Sequence, residues 1–290
     1  MRTLGIALSI VIAIVVAATA ARRVVSVADA AQTFRVATFN IHKGSDRRNN
    51  YNLERTIEAI DRLGVDLVGV QEAMRNHAGT NCDDQAALIA RGLQRRSGRP
   101  WTHVYREAWI TENRECLRRG RGDGVETEGL AFFTPERIVG SKSVRLSEGR
   151  IGLAVRVGSM PDVTVVVTHL AANRQQQADR ARELGALLPW AAQHGRGLLI
   201  GDFNAEPNAD ELRPALARYR DGWADAAARG KTGGFATGQT RPHRVSRIDY
   251  VLYSPEIALT LESVDAIDTS ALGLGEVSDH NPVVATFRRR

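Results

Sequence analysis

Six largely apolar runs in this chain end on, or begin beside, carboxylate, amide or imidazole groups. They are Phe34–Phe39 before Asn40, Val65–Val70 before Gln71-Glu72, and Val163–Thr168 before His169. Gly197–Ile200 precedes Gly201-Asp202-Phe203-Asn204, Asp249 opens Tyr250–Tyr253, and Asp279-His280 precedes Pro282–Phe287. Apolar runs of this length read as buried strands. Polar groups at their ends stand on the rim of a sheet and face a shared space. Such groups hold hard divalent cations and handle protons around a phosphate, and a hydrophobic core has no use for them. Singly each is weak evidence. Asn40 suits a strand end that bonds backbone, Glu72 suits a surface charge, and His169 suits a satisfied core imidazole. Their number and order carry the argument.

Between these strands the pattern is mixed. Leu53, Ile57, Ile60 and Leu63 recur at helical spacing, and Gly64 ends that helix. Helices are also expected at 86–93 and about 175–190, with further strands near 129–133 and 151–157. Residues 233–245 read as a loop. Segment 91–121 reads as irregular and arginine-rich, with Trp101, Tyr105 and Trp109 interleaved. No repeat or low-complexity linker follows residue 30, so one domain over 31–290 is expected. Strands and helices in non-alternating order predict an α/β (α+β) fold, two packed mixed β-sheets with helices outside.

Residues 1–30 are a separate object. Arg2 precedes an uncharged run from Leu4 to Ala20, and Arg22-Arg23 follow. The run predicts a signal peptide, with Ala28-Asp29-Ala30 preferred over Ala18-Thr19-Ala20 as the cleavage pattern, or an uncleaved membrane anchor. Either way the domain is expected outside the cytoplasm, secreted or anchored. The whole chain carries +6; removing residues 1–30, with three arginines and one aspartate, leaves +4. A basic balance favours a polyanionic partner, nucleic acid or an anionic membrane surface, and implies no obligate protein partner; a monomer is expected. Cys82 and Cys116 are the only cysteines. Export makes a disulfide between them reasonable, against two free thiols, and neither has a second ligand at zinc spacing.

The motifs Thr38-Phe39-Asn40-Ile41, Val70-Gln71-Glu72, Thr168-His169-Leu170, Gly201-Asp202-Phe203-Asn204, Arg247-Ile248-Asp249-Tyr250 and Ser278-Asp279-His280-Asn281-Pro282 stand in one order from about Phe34 to Phe287. In this the chain resembles the endonuclease/exonuclease/phosphatase superfamily. The resemblance implies a four-layer α/β sandwich and a metal-dependent phosphoester hydrolase. It implies a Mg²⁺ ion, with Mn²⁺ or Ca²⁺ as substitutes, near Asn40, Glu72 and Asp279. Asp202 would align or deprotonate the attacking water, Asn204 would help hold the phosphate, and His169 would bond a phosphate oxygen. His280 would pair with Asp249 and give electrostatic and acid–base support. A glutamate that pairs with His169 in some members points to Glu128, with Glu126 close enough to compete.

The substrate is less constrained. Trp109 and Arg118 in the arginine-rich segment, and Arg174 beyond His169, are candidate substrate-binding residues for a nucleic-acid strand. A phospholipid phosphodiesterase of the sphingomyelinase kind and a phosphomonoesterase are the alternatives. An inactive binding protein is disfavoured because all eight motif residues are present. An inositol-phosphate site would want a lysine-rich loop, and the only lysines are Lys43, Lys142 and Lys231.

Overall fold

The computed structural model describes residues 33–172 and 176–289. The N-terminal apolar segment and Arg174 lie outside the described residues. Among the described residues no helix is long and apolar enough to cross a membrane.

Thirteen strands form two mixed sheets among these residues. The first holds β1 (Thr33–Asn40), β2 (Leu67–Arg75), β3 (Thr102–Glu112), β4 (Val125–Thr134), β10 (Thr232–Gly234), β12 (Leu259–Ala266) and β13 (Val283–Arg289), in the order β10-β12-β13-β1-β2-β4-β3. The second holds β5 (Ile138–Ser147), β6 (Arg150–Val157), β7 (Thr164–His169), β8 (Gly197–Asp202), β9 (Arg220–Asp221) and β11 (Asp249–Tyr253), in the order β5-β6-β7-β8-β11-β9. Helices α1 (Leu53–Leu63) and α2 (Gln85–Ser97) cover the first sheet. The short α3 (Glu115–Arg118) interrupts the β3–β4 connection, and α4 (Gln177–Ala192) covers the second sheet.

Period-two alternation sorts the apolar residues into three cores. Val36, Leu67, Phe132, Leu153, Val165, Val167, Ile200, Val251 and Phe287 fill the space between the sheets. Their chain neighbours face the other way. Ala37, Val68 and Phe133 meet Ile57, Ile60, Ile89 and Leu93 of α1 and α2. Val166, Leu199 and Leu252 meet Leu184, Leu187 and Leu188 of α4. The result is four layers, helix, sheet, sheet, helix, as the resemblance implied.

The helix ends follow local rules. The Asn52 side chain accepts from Arg55 N at the start of α1, and Gly64 ends it in the left-handed region at φ 60°. Near the functional rim the sheets approach closely. A Cβ at Gly69 of β2 would come within 2.8 Å of Val167 and 2.9 Å of Ile200 on the facing sheet. Gly201 has φ 149°, and a Cβ there would lie 2.0 Å from Thr168 O of the neighbouring strand. Only glycine fits either position without moving backbone or core.

Several expectations need correction. Segment 91–121 is not irregular: α2 runs to Ser97, β3 crosses 102–112 and α3 follows. Its charged surface residues hide the strand because β3 is an edge strand whose side chains are mostly exposed. The solvent-facing β5 and the mixed β12 have no uninterrupted apolar run and escape a reading by hydrophobic blocks. The strand after α1 continues past Val70 to Arg75, through a register shift between Val70 and Ala73. Residues 232–234 are a short strand, paired with β12.

Cys82 and Cys116 form a disulfide across 34 residues of sequence. It joins the turn after β2 to α3, where Asn76 also bonds Asp123 and Val125 O. Closing a loop of that size stabilises a domain by about 3–4 kcal/mol. Replacing both cysteines by serine is therefore expected to lower the midpoint of thermal unfolding by on the order of 5–10 °C in calorimetry. An unchanged midpoint would show that the turn and α3 are held by Asn76 and its partners alone.

Candidate active site

The register of both sheets brings the polar strand ends to one rim. β1 and β2 run parallel with Asn40 opposite Gln71, and β7 and β8 run parallel with His169 opposite Asp202. β11 returns antiparallel so that Asp249 stands opposite Asp202. His280 lies on the loop that enters β13. Ser278 Oγ ties that loop to the end of β1 by donating to Asn40 O at 2.7 Å, and it accepts from His280 N at 3.1 Å.

Asp202 is the hub. Asn40 Nδ2 donates to its Oδ2 at 3.1 Å, and His169 Nε2 and His280 Nε2 lie 3.5 and 3.7 Å from the same oxygen. The other oxygen accepts from Asn204 N at 2.9 Å, an Asx turn that holds Asn204 in the left-handed region at φ 50°. Asn204 Nδ2 in turn donates to Leu170 O at 3.1 Å, which leaves one amide hydrogen to face the rim. Behind the site, Thr240 Oγ1 accepts from Ile248 N and Asp249 N, and Tyr250 Oη donates to Ala205 O at 2.7 Å. Arg247 forks onto Asp221 at 3.0 and 2.7 Å and stacks over Tyr250 at 4.8 Å, which fixes the entry of β11.

His280 Nδ1 is 2.9 Å from Asp249 Oδ2, so the carboxylate fixes the ring tautomer. Burial works against charge on His280, but Asp249 and Asp202 outweigh it and raise the group to about 10. Burial, and then the neighbouring Asp249 charge, raises Asp202 to about 7. A carboxyl poised there holds and releases a proton at ordinary pH. His169 goes the other way. Burial first, then Arg150 and His280, push it well below the usual imidazole range.

Glu72 reaches the rim through the β2 irregularity. Two β2 residues, Gln71 and Glu72, fall between the paired Val70 and Ala73, and Glu72 takes φ 58°. This is a bulge that re-aims a side chain. Asn40 Nδ2 donates to Glu72 Oε1 at 3.0 Å, and the other carboxylate oxygen is left to face the half-exposed rim. Asp279 lies on the same side, bonded by Arg241 Nη2 at 3.1 Å and 3.9 Å from His42 Nδ1. Glu72 and Asp279 offer half-exposed hard oxygen donors beside the buried Asn40, whose Oδ1 accepts from His42 N at 3.0 Å, a chemistry that fits Mg²⁺ with few protein ligands. Asp202, Asp249 and His280 also have donor atoms within 4.8 Å of one another. A cation among them would compete with the proton that Asp249 and His280 share, so the Glu72 side suits a metal better.

Glu128 does not pair with His169. Its carboxylate is 3.8 Å from Lys43 Nζ, and burial followed by the Glu72 charge raises it above the ordinary range. Glu126 is drawn away by Asn113 and by His77 at 3.7 Å. The group on His169 is Arg150, whose Nη1 lies 3.1 Å from His169 Nδ1. Sequence reasoning missed Arg150, Arg241 and Lys43. Arg150 opens β6 right after the Glu148-Gly149 turn, which is a strand-end signal of the kind used for the other residues. Trp109 stands opposite Glu128 on β3 and lines a cavity of about 530 Å³ with Glu128, Glu148 and Arg150. Arg118 is exposed on α3 and engages Glu115 there, apart from that cavity.

Comparison with known proteins agrees with this geometry. No curated protein matches the chain by sequence. Solved structures do match in fold. An endonuclease/exonuclease/phosphatase from Beutenbergia cavernae is 22% identical, with a TM-score of 0.66 over 89% of this chain and 72% of that one. The human Nocturnin catalytic domain with bound sulfate is 20% identical, with a TM-score of 0.63 over 90% and 94%. ANGEL2, a 2',3'-cyclic phosphatase in complex with adenosine-2',3'-vanadate, is 13% identical, with a TM-score of 0.59 over 89% and 96%. The model of the endonuclease/exonuclease/phosphatase family matches residues 37–280, from the strand that carries Asn40 to His280 itself. With most of its length and all eight rim residues from Asn40 to His280 inside that match, the chain belongs to the endonuclease/exonuclease/phosphatase family.

Proposed function

We propose that the protein is an exported, Mg²⁺-dependent phosphodiesterase that cuts a nucleic-acid strand by in-line attack of water. Membership of the family makes it a metal-dependent phosphoester hydrolase. The observation that carries the reading is the convergence of Asn40, His169 and His280 on Asp202 Oδ2. A carboxylate that holds protons near neutrality, flanked by two imidazoles, is the apparatus of water activation next to an anionic ester.

In this reading Asp202 orients the attacking water and accepts its proton. His280, kept charged by Asp249, offsets the negative charge that builds during transfer. His169 and the free Asn204 amide hydrogen bond phosphoryl oxygens. Asn40, Glu72 and Asp279 would hold the cation, which when bound screens the anionic ester and stabilises the charge of the transition state. Trp109 offers an indole face on which a base can stack, and Arg174 is assigned to the same substrate. Export is supported by the apolar run at 4–20 and by the Cys82–Cys116 bond, since disulfides persist in oxidising compartments. The ANGEL2 complex with an adenosine-2',3'-vanadate favours a nucleotide ester. A sphingomyelinase-like phospholipid phosphodiesterase is the second reading, favoured by Ile110, Leu117 and Val125, which stand exposed on the β3–β4 segment at 53%, 49% and 38%.

The purified protein is expected to nick supercoiled plasmid with Mg²⁺ and to lose that activity with EDTA or as His169→Ala. Release of phosphocholine from sphingomyelin vesicles by the same preparation, with the plasmid intact, would replace the first reading by the second.

Asp249→Asn keeps the shape of the pair but removes the charge behind His280. It is expected to lower kcat by on the order of 10²–10⁴ with the fold retained, judged by circular dichroism. A loss below tenfold would take His280 out of the chemistry.

A further inference from the structure

Where the resemblance implied a glutamate behind His169, the structure has Arg150, and the exchange alters what His169 can do. The geometry points to Arg150 as a positioning residue that locks His169 as a neutral imidazole with its one proton on Nε2. The inference rests on the phosphoester hydrolase reading of this site and adds a role to it.

A guanidinium only donates hydrogen bonds and stays protonated in proteins. The 3.1 Å contact between Arg150 Nη1 and His169 Nδ1 therefore requires a lone pair on Nδ1. The ring proton must then sit on Nε2, the nitrogen that faces Asp202. A glutamate in that place would demand the opposite, a proton on Nδ1, and would favour an imidazolium. The charged groups around His169 agree on this outcome. Arg150 on β6 and His280 on the loop before β13 both oppose a further positive charge, and the ring is buried. Among the described residues Asp202 on β8 is the carboxyl paired with the ring, and it is itself raised. His169 is thus held as a fixed Nε2–H donor, suited to a phosphoryl oxygen and unsuited to general acid–base duty.

Arg150 is built for precision. It opens β6 opposite Ser147, and the turn between them is anchored by buried Glu183, which accepts from Ser147 Oγ at 2.5 Å and from Ala171 N at 2.8 Å. One carboxylate therefore fastens both the Arg150 turn and the exit of the His169 strand. Arg150 also lines the cavity shared with Trp109 and Glu128, so its field reaches the space where substrate would lie.

The test is ¹⁵N spectroscopy of the histidine rings, with His169 assigned by its loss in His169→Asn, beside kinetics on bis(p-nitrophenyl) phosphate. In the unaltered protein His169 is expected to show only the Nε2–H tautomer between about pH 5.5 and 8.5. In Arg150→Met the tautomers are expected to mix and the ring to titrate inside that window. With it kcat should fall about 10- to 100-fold and KM should change less than about threefold. Arg150→Lys, which keeps a donor, should restore the single tautomer and part of kcat. A proton on Nδ1 in the unaltered protein overturns the inference, as does an Arg150→Met protein with normal tautomer and rate. Should Arg150→Met fail to fold, the unaltered spectrum and Arg150→Lys still decide. The spectra are independent of substrate, so a protein that proves to be no nuclease leaves this test standing.

Discussion

Asp202 and Asp249 are directly opposed across β8 and β11. Like charges at that spacing in a buried setting repel strongly, and one carboxyl is driven to hold its proton. His280 relieves the conflict by standing against both. The rest of the rim follows from this arrangement. The antiparallel return of β11 exists to bring the second carboxylate there, and Arg247, Thr240 and Tyr250 fix its entry. The Ser278 hydrogen bonds hold the imidazole loop against β1. Without His280, the two buried carboxylates would face each other with Asn40, His169 and the Asn204 backbone N–H as relief on the Asp202 side.

The two histidines of the rim show how one residue type is given two states by its neighbours. His280 has a carboxylate behind it and a second in front, and it is kept charged. His169 has a guanidinium behind it and is kept neutral. Burial is nearly the same for both, so neighbours rather than solvent decide. The site thereby holds a cationic group and a neutral hydrogen-bond donor side by side, where two imidazolium ions would repel each other and the metal.

Much of this was legible in the sequence because the central strands are buried on both faces. Val165-Val166-Val167 and Leu198-Leu199-Ile200 read as continuous apolar blocks, and the first ionisable residue after each, His169 and Asp202, stands on the rim. Edge strands lack that contrast. β3 and β5 face solvent on one side and carry arginines and serines, so they read as loops. The resemblance and a place just before residues 129–133 point to Glu128 as the partner of His169, whereas burial, Glu72 and Lys43 set its surroundings. Arg150 was missed for a related reason. An arginine beside a glycine turn looks like surface punctuation until a parallel strand pair sets a histidine next to it.

The bulge in β2 has a further consequence. On the near side of it Val68 and Val70 face the helices, and beyond it Ala73 does, so the strand changes parity where Glu72 leaves the ladder. The acidic group brought to the rim is the phase error itself. Straightening β2 with every residue kept would turn the far half of the strand inside out, whereas deleting Glu72 would keep Val70 and Ala73 on one face and remove the carboxylate. The place of this carboxylate and the seating of the strand are thus set by one and the same irregularity.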